Sequence, residues 1–162
     1  MATKFKMGMI RGFLPLCAIL LVACETPSTA PPPFVPVGDV QQLMEMVIDP
    51  AADIVWESVG TIVTLDGTEE IFPRSDEEWS TVRNSAMVLA ESGNLLMVGD
   101  RSKGEGSWMI MSQALVEAGM VALEAAEAKD PEAVFAVGEQ IYNACETCHV
   151  LYWYTEEDAV IR

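Results

Sequence analysis

Cys145-Glu146-Thr147-Cys148-His149 holds the most distinctive chemistry in this chain. Read as C-x-x-C-H, it is the pattern that attaches a c-type haem. Two thiols at this spacing can add to the two vinyl groups of haem and become thioethers. The histidine directly after the second thiol then lies under the iron as its proximal ligand. The rival reading is a C-x-x-C redox pair, or half of a zinc site with His149 incidental. A second C-x-x-C or an H-x-x-x-H would favour zinc. The sequence has neither, and His149 is its only histidine. The expected cofactor is one covalent haem c, held by Cys145 and Cys148 with His149 on the iron.

The amino terminus carries a second chemical signal. Lys4, Lys6 and Arg11 form a basic start, followed by an apolar run from Phe13 to Val22 that is short for a membrane span. It ends at Leu21-Val22-Ala23-Cys24, which resembles the lipobox of bacterial lipoproteins. That resemblance implies a signal peptide over residues 1–23, cleavage before Cys24, and lipid on the Cys24 sulfur. An ordinary signal peptide with a stray cysteine is the alternative. Residues 24–38 favour the lipobox, because Pro27, Pro31, Pro32, Pro33 and Pro36 make an extended, semi-rigid spacer suited to a tether. Export agrees with C-x-x-C-H, since haem is attached to such proteins outside the cytoplasmic membrane.

The four cysteines are then accounted for. Cys17 leaves with the signal, Cys24 takes lipid, and Cys145 and Cys148 hold haem. None is left for a structural disulfide, so an exported domain must rely on its core and its cofactor. Cleavage leaves 139 of the 162 residues, enough for one domain with one core. The signal takes three of the nine Lys and Arg and none of the 25 Asp and Glu, so the mature chain has a formal charge of −19. This charge excludes nucleic acid as a partner. It would also oppose an anionic membrane surface, so membrane attachment falls to the lipid. It favours a redox partner protein with a basic docking face, and a solvated acidic surface kept for solubility accounts for it equally.

Positioning these groups falls to residues 39–162, whose apolar periodicity is helical. The first helix spans about Asp39 to Glu57, with Val40, Leu43/Met44, Val47, Ala51 and Ile54/Val55 inward; Asp49-Pro50 predicts a kink or a two-piece helix. The second spans about Asp76 to Leu96 with Asp76 as N-cap and a seam of Trp79, Val82, Ala86, Leu89, Gly93 and Leu96. The third spans about Ser107 to Ala128, its seam running from Trp108 through Met111, Leu115, Ala118 and Ala122 to Ala125. The fourth starts at Asp130-Pro131, with Val134, Gly138, Ile141, Cys145, Cys148 and Tyr152 inward. Steps of three and four suit nearly parallel or antiparallel packing. Residues 61–72 suggest a short hairpin or an ordered loop. Both thiols therefore point to the interior, and Gly138 leaves room either for the haem ring or for a neighbouring helix. Trp56, Trp79 and Trp108 read as helix anchors. Met87, Met97, Met109, Met111 and Met120 read as core or near-core, since no spacing specifies a copper site.

A four-helix domain with C-x-x-C-H on its last helix resembles cytochrome c′ and its low-spin relatives, over roughly Asp39 to Tyr154. The resemblance implies an all-α, up-down-up-down four-helix bundle, with haem near the C-terminal end of the last helix. It also implies a homodimer through the first two helices. Tyr152 matches an aromatic that the family often carries three residues after the histidine. Trp153 departs from the Arg or Lys usual at that place, which bears on the reduction potential. In the family the first helix approaches the sixth iron position, where methionine gives low-spin iron for electron transfer and an apolar residue leaves room for a small gas. Leu43, Met44 and Met46 are the candidates. Met44 follows the seam while Met46 lies about 200° around from it, so Met44 is the expected distal ligand, with core filler as the alternative.

No phosphate loop, nucleophile elbow or carboxylate–histidine constellation appears, so no enzyme is expected. The expected function is single-electron transfer by a monohaem c-type cytochrome, lipid-anchored on the periplasmic side of a bacterial membrane. Binding or sequestration of nitric oxide or carbon monoxide is the first alternative. A non-haem structural lipoprotein with a Cys145–Cys148 disulfide is the second.

Overall fold

The computed structural model describes residues Phe34–Tyr154. They belong to a unit that runs from Pro33 to Arg162. The signal peptide, Cys17, Cys24 and most of the Pro-rich tether lie outside the described residues. The described chain is mostly helical, in four helical stretches with one small sheet.

The first stretch begins with a capping box. The Asp39 side chain accepts from the Gln42 amide at 2.8 Å, and the Gln42 side chain accepts from the Asp39 amide at 3.1 Å. It continues as α1 (Val40–Leu43), a π-helical turn (Met44–Ile48) and α2 (Asp49–Glu57). The interruption predicted at Asp49-Pro50 is thus a widened turn just before the proline. Pro50 has no N–H to give the Met46 carbonyl, and its ring would crowd that carbonyl in a regular helix. The Asp49 amide instead donates to Met44 O, five residues back. The extra residue shifts the helical phase. Ile48 and Ala52 are buried along with Leu43, Ala51, Val55 and Val59, while Ile54, expected inside, is exposed.

The connection that follows is the hairpin of the two forms anticipated. β1 (Gly60–Thr64) pairs antiparallel with β2 (Gly67–Ile71), from Gly60 opposite Ile71 to Thr64 opposite Gly67. β-branched Thr61, Ile62, Val63 and Thr64 favour the extended chain, and Gly67 takes a positive φ of 147° that only glycine adopts readily. The sheet qualifies the all-α expectation. Its residues are exposed, apart from the half-buried Gly60, so the pair adds little to the core.

α3 (Asp76–Leu96) is capped by Ser75, one residue before the expected Asp76. Ser75 and Glu78 form a reciprocal box, which the S-x-x-E spacing specifies better than a lone aspartate does. Asp76 instead pairs with Lys129 at the surface. α4 (Ser107–Ala128) and α5 (Pro131–Tyr152) have the bounds their periodicity predicts, and α5 is capped by Asp130. Lys129 (φ 53°) closes α4 in the left-handed region, so only Lys129 and Asp130 separate the two helices.

α3 packs on α4 over the most extensive contact, α4 packs on α5, and α2 meets both α3 and α5. Small residues set the α3–α4 approach. A side chain at Gly93 would meet the Ser112 carbonyl and Val116, and one at Gly119 would strike the Ala90 backbone. Every seam residue expected of α3 is buried. Among the described residues α4 alone is long and apolar enough to cross a membrane, with a mean hydropathy of 1.3 over its best window. It packs against both α3 and α5. Trp79 and Trp108 are buried as anchors, but Met87 and Met120, expected in or near the core, are exposed. Both lie off the seams of their helices.

Candidate functional site

The buried stripe of α5 runs through Val134, Val137, Ile141 and Ala144, and Cys145 and Cys148 extend it. Both thiols are free and half-buried. Helical spacing accounts for this, since residues three and four apart share a face. Gly138, one of the expected stripe residues, makes room for a neighbouring helix. The Trp56 indole of α2 lies against it and donates to Gly138 O at 3.0 Å.

Beyond Trp56 two cavities open between the first helical stretch and the end of α5. The smaller, of about 210 Å³, is lined by Ile48, Ala52, Met111, Leu115 and Cys145 among others. The larger, of about 500 Å³, is lined by Val40, Trp108, Tyr152, Trp153 and Lys103 among others. Met44, Asp49, Cys148 and His149 line both. Of the three distal candidates, Leu43 is buried in the core, Met46 is 74% exposed, and Met44 alone reaches the cavities.

Aromatic groups close the far end. The His149 ring meets Trp153 edge-on, 4.6 Å between centroids, and Tyr154 at 6.0 Å. The Trp153 and Tyr154 amides both donate to His149 O, at 3.0 and 2.9 Å, which folds the chain back over the imidazole. The Tyr154 hydroxyl bonds Glu146 at 3.1 Å. Tyr152 packs edge-on against Trp108 at 4.9 Å, and the Trp108 indole donates to Leu96 O at 2.9 Å. The aromatic at position 153, where the resemblance would place a cation, is therefore packed on the imidazole.

Burial sets the chemistry of the thiols. It pushes Cys145 up to about 11 from an ordinary 9.0, helped by the negative charge of Asp49 and by Cys148. Burial also raises Cys148. A thiol held protonated is a poor nucleophile. Asp49, though exposed, is also raised, mostly by partial desolvation, against the opposing pull of His149 and with smaller contributions from Asp53 and Glu45.

Among the described residues no three His, Cys, Asp or Glu side chains converge as a metal cage. A haem asks for a different donor set, and these residues fit it. Two thiols three apart face a cavity, an imidazole follows directly, and a thioether comes from another helix. The larger cavity also lies within the roughly 300–1,000 Å³ usual for bound organic ligands.

Sequence periodicity alone missed Asp49, read only as a helix-restarting partner of Pro50. It also missed Arg101, which is buried and donates to Gly38 O at 2.9 Å and Leu95 O at 3.3 Å. The signal for Asp49 was a charged residue beside a proline inside an amphipathic helix. Arg101 had none, because its partners are backbone carbonyls. Compared with protein-family models, with curated proteins and with solved structures, the chain finds no match in any of the three.

Proposed function

We propose that this chain is a monohaem c-type cytochrome that transfers single electrons. In this reading the four helical stretches form an up-down-up-down bundle. Haem joins Cys145 and Cys148 near the end of the last helix, with His149 as proximal ligand and Met44 as distal ligand. One observation carries the proposal: Cys148 and His149 of α5 and Met44 of the first helical stretch line the same two cavities.

When bound, the haem supplies a metal centre that changes oxidation state by one electron. The chain's own residues would hold and shield it. Buried Ile48, Ala52 and Leu115 would exclude water on one side and buried Trp108 on the other, while Tyr152, packed on Trp108, stays exposed. A sulfur ligand from Met44 favours the ferrous state and occupies the position a gas would need.

Cys24 would carry the lipid that anchors the domain on the periplasmic side of a bacterial membrane. The formal charge of −19 left after cleavage suits a basic redox partner. A homodimer through the first two helices belongs to the same proposal.

The second reading, capture of nitric oxide or carbon monoxide, is favoured by the about 500 Å³ beside a half-buried Met44. There Met44 is packing only. The chain expressed with haem-attachment machinery should stain for covalent haem on a denaturing gel, and Cys148→Ser should lose the double attachment. An unstained wild-type band overturns the reading and leaves the non-haem lipoprotein standing.

A further inference from the structure

The π turn brings a carboxylate to the cavities as well as a sulfur. In a regular α-helix, five residues at about 100° each would set Asp49 roughly 140° around from Met44. The bond from the Asp49 amide to Met44 O closes that turn with one more residue, and both side chains line the same two cavities.

We infer that Asp49 is a charge-setting residue of the cofactor site, whose carboxylate favours the ferric state of the iron held beside it. The inference rests on the haem reading above. A negative charge beside iron stabilises the more positive oxidation state. Asp49 is itself exposed, so water screens part of this effect. Other charges face the same space: Glu45 and Lys103 in the larger cavity, Glu146 in the smaller, and His149 in both. Among the described residues Asp49 is the only acidic one that lines both. Asp49 and Asp53, one turn on, are both exposed, but Asp53 lines neither cavity. The same site thus pairs a thioether that favours ferrous iron with a carboxylate that opposes it.

The test is the midpoint potential of the full-length haem-bearing chain at about pH 8, well above the carboxylate range. Covalent haem is first verified by gel stain and absorption. Asp49→Asn should raise the midpoint, lowering the ferric-to-ferrous ratio at a fixed potential roughly tenfold, which is about 59 mV for one electron. Asp49→Ser removes the same charge and gives the reading where Asp49→Asn does not accumulate. Asp49→Glu should stay near wild type and Asp53→Asn should change little. If haem is present and Asp49→Asn shifts no more than Asp53→Asn, the role of Asp49 is overturned and the haem reading stands. If wild-type protein carries no covalent haem, both fall together.

Discussion

Trp108→Phe tests how the core is tied to the site. Trp108 is 2% exposed, lines the larger cavity, and joins three elements. It lies in the first turn of α4, its N–H reaches Leu96 O at the end of α3, and its ring meets Tyr152 at the end of α5. Phenylalanine keeps an aromatic ring in place but removes the donor. The Leu96 carbonyl is among the last four of its helix, which lack partners within the helix. Leaving it buried without this donor should cost about 1–3 kcal/mol. For a domain of this size, each kcal/mol lowers the melting temperature by roughly 4 °C. The expected fall is therefore about 4–12 °C. Trp108→Ala also opens a cavity and should cost about 3–5 kcal/mol. Adding Tyr152→Leu in a double-mutant cycle isolates the ring contact, expected at about 0.5–1.5 kcal/mol. Urea and thermal unfolding followed by circular dichroism give the numbers. A Trp108→Phe protein within about 0.5 kcal/mol of wild type would refute the argument, since that is the size of an ordinary surface change.

Met44→Ala should turn low-spin ferrous protein toward high spin and speed carbon monoxide binding, whereas exposed Met46→Ala should do little. Ferrous wild type that is already high-spin and binds carbon monoxide without a ligand-loss step would place gas binding ahead of electron transfer. Haem-free protein should lose stability between about pH 9 and 11. Cys145 stays protonated in the folded chain up to about 11, while the unfolded thiol ionises near 9.0. The unfolded state therefore binds fewer protons over that window, and stability falls as pH rises. The loss is at most roughly 2 kcal/mol and should vanish in Cys145→Ser; a flat urea midpoint across the window in the parent would count against a buried thiol. Cys24→Ser should abolish lipidation, read by mass spectrometry of the mature amino terminus. An unmodified terminus at a residue other than Cys24 rules out the lipoprotein assignment.

Where one regular period governs a helix, its buried face follows from spacing. α4 and α5 have the bounds their periodicity implied, and the α3 seam from Trp79 to Leu96 is buried throughout. At the start of α3 two residues able to cap, Ser75 and Asp76, stand side by side. A reciprocal bond to Glu78 decides between them. Apolar character alone suggests Met87 and Met120 for the core, and helical phase puts them outside. Gly138 illustrates a different limit. Its small size was legible, but the partner that fills the space, Trp56, lies 82 residues away and on another helix.

The first helical stretch shows why a site can be less legible than the fold around it. A regular 100° per residue puts Met44 inward and gives Asp49 no role beyond restarting the helix with Pro50. One extra residue in the turn keeps Met44 on the cavity, rotates Ile48 and Ala52 into the core, and brings Asp49 to the same space as Cys148 and His149. A π turn gives up regular hydrogen bonding, and such turns are frequent at functional sites. Here the irregularity has an identifiable cause in the proline and a consequence in the cavity. A helix repaired by Pro50→Ala can return to the α-helical period and turn Met44 and Asp49 apart. The helix could then be more regular while the site lost either its sulfur or its charge. What looks like a defect of the helix is, on this argument, what allows one helix to present both groups to one cavity.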